Sequence, residues 1–309
     1  MNLRNLSVQG ILSLILVAQL SLAMAASPVI GVATARGSFR IDQAAVSGNG
    51  TLFDGTTIET GKASSDVELA EGARMLLGAG TRGRVYRDRM ILEKGAGELR
   101  NGAGYRIEAR SLRILPASQD AVGRVEVKND RLVQVASLRG SFQVVNAYGV
   151  TIATLAAGRS LEFEPQAAGA AAPSTLTGCV VKHDTHFLLT DETAGVTVQL
   201  RGGGVDKHVG HRVEVTGASV PSATPASGAS HVIQVASFKE LSRRCPAPVA
   251  GVAAGGAAAG GAKAGTGAAK AAGMSAASKA VIAGVIIAGA AAGTAVAVTA
   301  ADDSGTISR

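Results

Sequence analysis

The sequence predicts a mainly β protein: a larger all-β domain, a small OB-like β-barrel after it, and a C-terminal transmembrane helix. Three observations lead there. Between about Ser27 and Pro165, apolar and polar residues alternate in short runs broken by glycine. Five more such runs occupy residues 176–246, and Ala280 to Ala301 is an uncharged stretch. Period-2 alternation bounded by turn residues marks half-buried strands. An uncharged run of about 20 residues is long enough to cross a hydrocarbon core of ~30 Å.

Taken in chain order, residues 1–25 read as a signal peptide. Arg4 gives a positive start, Ile11 to Leu22 is a short apolar run, and Ala23-Met24-Ala25 is a small-residue cleavage pattern. Residues 26–165 form the first β domain. Its strands are expected within VIGVATARGSFRID (29–42), TLFDGTTIETG (51–61), DVELAEGARMLLGAG (66–80), RMILEKGAGEL (89–99), YRIEARSLRIL (105–115), 123–145 and 149–165. Glu71-Gly72 and Lys128-Asn129-Asp130 supply turn chemistry between runs. This pattern fits a sandwich-like or solenoid-like arrangement.

Residues 166–175, rich in Ala, Gly and Pro, read as a linker. Five strands in 176–246 suit a small Greek-key barrel of the OB type. Cys179 lies on the first of these strands and Cys245 follows the last. In an exported chain two cysteines read as one disulfide. Residues 247–278 are Ala/Gly-rich and read as a spacer reaching on the order of 30 Å. The transmembrane helix is placed at 279–301, with a polar tail at 302–309. Gly289 and Gly293 give a GxxxG spacing through which such a helix can self-associate.

The first domain resembles the periplasmic FecR-like domain. The matching residues are GSF (37–39), DGTTIETG (54–61), VELAEGARMLL (67–77), LEKGAGEL (92–99) and RGSFQVVNAYGVTIATLAAGRSLEF (139–163). The resemblance implies an all-β envelope domain without catalytic activity. Signalling members of that family relay to a sigma factor and carry a cytoplasmic arm before a membrane helix. Here a signal peptide directly precedes the domain, so the regulatory role does not carry over. Residues 177–192, 207–217 and 235–241 are similar to small OB-type domains of exported bacterial proteins, which implies a fold but no ligand.

Chemistry-bearing residues concentrate in two places. All five histidines fall in the second module, and His183, His186, His208 and His211 form two HxxH pairs. Imidazole suits zinc or copper. However, i,i+3 spacing shares a face on a helix and not on a strand, so polar turn residues are the simpler account. In the first module Arg82 and Arg84 alternate, as do Arg87 and Arg89, which points to a basic stripe for an anionic surface polymer. The formal net charge of +7 fits such a partner but does not identify one. Asp88, Glu93, Glu98 and Glu108 interleave with the stripe and dilute its field.

Nucleic acid is disfavoured, because a single-strand groove needs aromatic platforms and the second module has only Phe187 and Phe238. The glycine spacing from Gly78 to Gly83 matches a dinucleotide fingerprint but precedes a strand, without a βαβ unit. No cofactor is implied. The expected function is a non-enzymatic, membrane-anchored binding scaffold or sensor of the periplasm and cell envelope. Its partners would be the membrane, an envelope protein or an anionic polymer. The alternatives are a sigma-relay regulator and a soluble periplasmic binder of metal or polyanion.

Overall fold

The structure, a computed structural model, describes residues 28–102, 104–165, 173–246, 279–282 and 285–289. The signal peptide, the 247–278 spacer and the 302–309 tail lie outside them. What is described is mainly β, as the alternation predicts.

The first strands close on themselves. Strand β1 (Val29–Ile41) turns through Asp42 and Gln43, both at positive φ, into β2 (Ala44–Phe53). Strands β3 (Thr56–Thr60), β4 (Ser65–Leu69), β5 (Arg74–Leu77), β6 (Arg82–Val85) and β7 (Arg89–Arg100) follow. Their pairings run β1–β3–β6–β7–β5–β4 and back to β1, a closed antiparallel circuit. Closure satisfies backbone groups that an open edge would expose. Alternate residues such as Val67, Leu69, Met75, Leu77, Val85, Met90 and Leu92 line the interior.

Strand β7 also joins this circuit to the rest. Its burial phase shifts near Gly95, which sits at φ 82°. A Cβ there would lie 2.5 Å from Thr81 Oγ1, so the close approach requires glycine. On one side of Gly95, β7 runs parallel to β8 (Arg106–Ala109), which continues through β9 (Leu112–Pro116). On the other side it pairs with β10 (Val122–Val127). The chain proceeds through β11 (Val133–Arg139), β12 (Ser141–Val145), β13 (Thr151–Ala156) and β14 (Ser160–Pro165). One branch is then β8–β9–β12–β13 and the other β10–β11–β14. Both predicted turns form: Gly72 takes φ 90°, and Asn129 Oδ1 accepts the Arg131 and Leu132 amides.

The second module is OB-like. Strand β15 (Ser174–His183) begins inside the segment expected to be a linker. It is followed by β16 (His186–Asp191), β17 (Thr197–Arg201), a 3-10 turn (Val205–His208), β18 (Arg212–Ser219) and β19 (Val232–Ser242). The circuit β15–β16–β17–β19–β18–β15 closes, with β17 and β19 parallel and the other pairs antiparallel. Cys179 and Cys245 are disulfide-bonded across a separation of 66 residues, with Cα atoms 5.7 Å apart. The module abuts the first one: Ala194 O accepts the Thr154 amide at 2.8 Å, and Arg159 Nη2 donates to Thr193 O at 3.0 Å.

The transmembrane helix expected at 279–301 is corrected over its described part. Residues Lys279–Ile282 form β20 and Val285–Gly289 form β21, an antiparallel hairpin. Strand β21 pairs with β14 and β20 meets β15 at Thr175↔Val281, so the hairpin fills the gap between the two modules. The physical reason is twofold. Val281, Ile282, Val285, Ile286 and Ile287 are β-branched and favour strand, and the flanks of β14 and β15 offer ladder groups that need partners. Ala280, Ile282, Val285 and Ile287 are buried in alternation and join one apolar core running through both modules. The GxxxG helix expected to self-associate loses its first glycine to this hairpin, since Gly289 ends β21 and pairs with Leu161. Among the described residues, no helix is long and apolar enough to cross a membrane.

Candidate functional site

The histidine-rich corner of the OB-like barrel is built on a turn. His208 ends the 3-10 turn; Val209 then takes φ −60° and ψ 127°, and Gly210 takes φ 80°. With the His211 amide donating to His208 O at 3.0 Å, His208 to His211 is a type II β-turn, whose third position needs a residue tolerant of positive φ. The i,i+3 pair therefore converges without a helix. Three backbone bonds hold this turn. Gly210 N–H donates to Val180 O at 2.9 Å, Val180 N–H to His211 O at 3.1 Å, and Cys245 N–H to Gly210 O at 3.1 Å. The disulfide pins Cys245, and with it the last of these bonds.

Strand β19 completes the corner. Glu240 presents Oε2 to His211 Nδ1 at 3.2 Å, within ion-pair range but outside hydrogen-bond alignment. The imidazole of His208 stacks on Phe238 with ring centroids 4.5 Å apart, and the two histidine rings stand edge to face at 6.1 Å. Donor atoms of His208, His211 and Glu240 all lie within 4.8 Å of one another. The Nδ1 atoms of both histidines are enclosed and without a hydrogen-bond partner. On its other side Glu240 Oε1 receives Arg243 Nε at 3.3 Å.

The other HxxH pair behaves differently. His183 and His186 face each other across a two-residue turn that Asp184 enters at φ 53°. The His183 Nδ1 atom lies 3.4 Å from an Asp184 oxygen, and both side chains are largely exposed. Gln199 Nε2 donates to His186 Nδ1 at 3.1 Å, because an amide nitrogen cannot accept. That bond occupies one ring nitrogen of His186. Of the four predicted metal ligands, the structure thus brings His208 and His211 into one donor cluster with Glu240 and leaves the His183–His186 pair outside it. Glu240, the third donor of the cluster, lies near the exposed end of β19, and no local pattern in the sequence points to it.

His231 is buried beside Ser230, whose Oγ lies 2.8 Å from Nδ1, and its Nε2 has no partner. Desolvation pulls its pKa down to about 4, so the ring is neutral at neutral pH. Asp191, fully buried, accepts the Thr177 amide on Oδ2 and the Thr193 and Ala194 amides on Oδ1. Burial nonetheless raises its pKa, against the lowering effect of those three donors.

The predicted arginine stripe is partly neutralised. Arg82 and Arg84 do share the outer face of β6, where they straddle Glu93 at 3.1 and 3.2 Å. Arg87 does not share a strand face with Arg89, because it lies in the bend before β7, where its amide donates to Asp54. Arg89 contacts Asp88 at 3.0 Å and Glu108 at 3.7 Å and covers the Tyr86 ring at 4.3 Å. Arg106 closes the same network on Asp88 and Glu108. Such exposed pairs add little stability, but they reduce the field available to a polyanion.

The chain matches no family model and no curated protein.

Proposed function

We propose that this chain is an exported, non-enzymatic protein of the cell envelope that works by binding, as a scaffold or sensor. The observation that carries the reading is the Cys179–Cys245 disulfide. Bonds of this kind persist in oxidising compartments and are rare where thiols are kept reduced. The leader-like residues 1–25 support the same compartment, and the FecR-like resemblance of 26–165 supports an envelope role without catalysis. The mainly β architecture agrees with both resemblances at the level of fold class.

Expression with the native leader in a Gram-negative host, followed by fractionation, tests this. The expected product is periplasmic or envelope-associated, begins at Ala26 by mass spectrometry, and has neither cysteine open to alkylation before reduction. A chain retaining Met1 in the cytoplasm, with both thiols reactive, would overturn the proposal.

A further inference from the structure

We infer that His208, His211 and Glu240 form a binding site for a divalent transition-metal ion of the zinc or copper class. The two histidines share one turn and Glu240 comes from β19, and their donor atoms converge to within 4.8 Å. Two imidazole nitrogens and a carboxylate oxygen are the donor set that borderline metals prefer over magnesium or calcium. Three protein ligands leave a position for water or for a group from a partner.

The convergence alone would also suit a simple ion pair between His211 and Glu240. What favours a metal is the state of the rings. Enclosed polar nitrogens without hydrogen-bond partners cost free energy; His208 Nδ1 is one, and His211 Nδ1 has only its misaligned contact with Glu240. A bound cation would satisfy lone pairs on both. The rings are also fixed in advance: His208 lies against Phe238, and the turn carrying both histidines is tied to Val180 and Cys245. Other charged clusters lack this character. The Asp88, Arg89, Arg106 and Glu108 group is already internally paired.

The test uses the full chain, purified without a histidine tag and stripped with a chelator. Zn(II) and Cu(II) are titrated by calorimetry, and Co(II), standing in for Zn(II), by its visible absorption. One ion per chain is expected. His208→Gln, His211→Gln and Glu240→Gln should each weaken binding at least about tenfold, the lower end of what even outer-shell partners contribute. His183→Gln and His186→Gln should leave it unchanged. Because Glu240 is exposed on β19, Glu240→Gln keeps the test sound if a histidine variant fails to fold. No heat beyond dilution, unchanged affinity in Glu240→Gln, or binding abolished by His183→Gln would overturn the site.

Discussion

Phe163 and Ile287 stand directly opposite one another across the β14–β21 ladder, and neither exposes any surface. Residues more than a hundred positions apart in the chain thereby share one core face. The C-terminal hairpin is thus part of the folded core, and its loss should be felt there. Ile287→Ala is expected to destabilise the protein by about 2–5 kcal/mol, the cost of a cavity at a buried aliphatic. Guanidinium unfolding of the detergent-free chain measures this. A variant as stable as the wild type would show that the hairpin does not pack where the structure has it.

The hairpin also shows where sequence reading stops. The alternation that predicts most strands from β1 to β19 is local, although Ala44–Gly50 of β2 and the start of β15 fall outside the expected runs. The run from Ala280 is apolar at nearly every position, because Ala and Gly fill the places around Val281, Ile282 and the Val285-Ile286-Ile287 run. Such a run reads equally as a membrane helix or as a strand buried on both faces. Only the ladder groups of β14 and β15, far away in sequence, decide between them. The histidine corner is similar. The HxxH spacing is visible and reads as polar turn residues, but nothing in the spacing shows that the turn is of type II and so brings the two rings together. Gly210 was the available signal, since glycine is what the third position of that turn favours. Glu240 had none, because its place beside His211 is set by the register of β18 with β19.

Asp191 anchors the turn after β16 through three backbone amides, those of Thr177, Thr193 and Ala194. Asp191→Ala leaves all three donors without their acceptor. At ~1–3 kcal/mol for each buried unpaired group, the loss should exceed about 3 kcal/mol. Asp191→Asn keeps one acceptor oxygen but turns an NH2 toward an amide, so an intermediate loss is expected. Thermal unfolding should rank wild type above Asn above Ala. A reversed order would show that the carboxylate does not hold this turn.

The disulfide closes nearly the whole OB-like barrel. For a loop of 66 residues the chain entropy removed from the unfolded state is worth about 4 kcal/mol. Paired Cys179→Ser and Cys245→Ser substitutions should therefore lower the denaturant midpoint of the second module. The same variant should show faster amide exchange at Gly210, whose partner Val180 adjoins Cys179. An unchanged midpoint would mean that packing alone closes the barrel.

Burial of His231 makes folding sensitive to mild acid. Its pKa falls from the ordinary 6.5 to about 4 in the folded state, through desolvation. As pH drops below 6.5 the unfolded chain takes up a proton that the folded chain refuses. The unfolded state then binds more protons, so stability falls with falling pH across the window from 6.5 to 4. Its size is about 3 kcal/mol, from 1.36 kcal/mol per pKa unit. Asp191 works in the opposite sense, because a carboxyl whose pKa is raised by burial gains stability as pH falls through its folded value. The two effects are separated by substitution. His231→Leu removes the imidazole, while Ser230 Oγ keeps its bond to Thr197 O at 3.2 Å. Denaturant midpoints at pH 7.5 and 4.5 should fall more steeply for the wild type than for His231→Leu. Parallel slopes would mean that His231 titrates normally, with the ring reached by water in the folded protein.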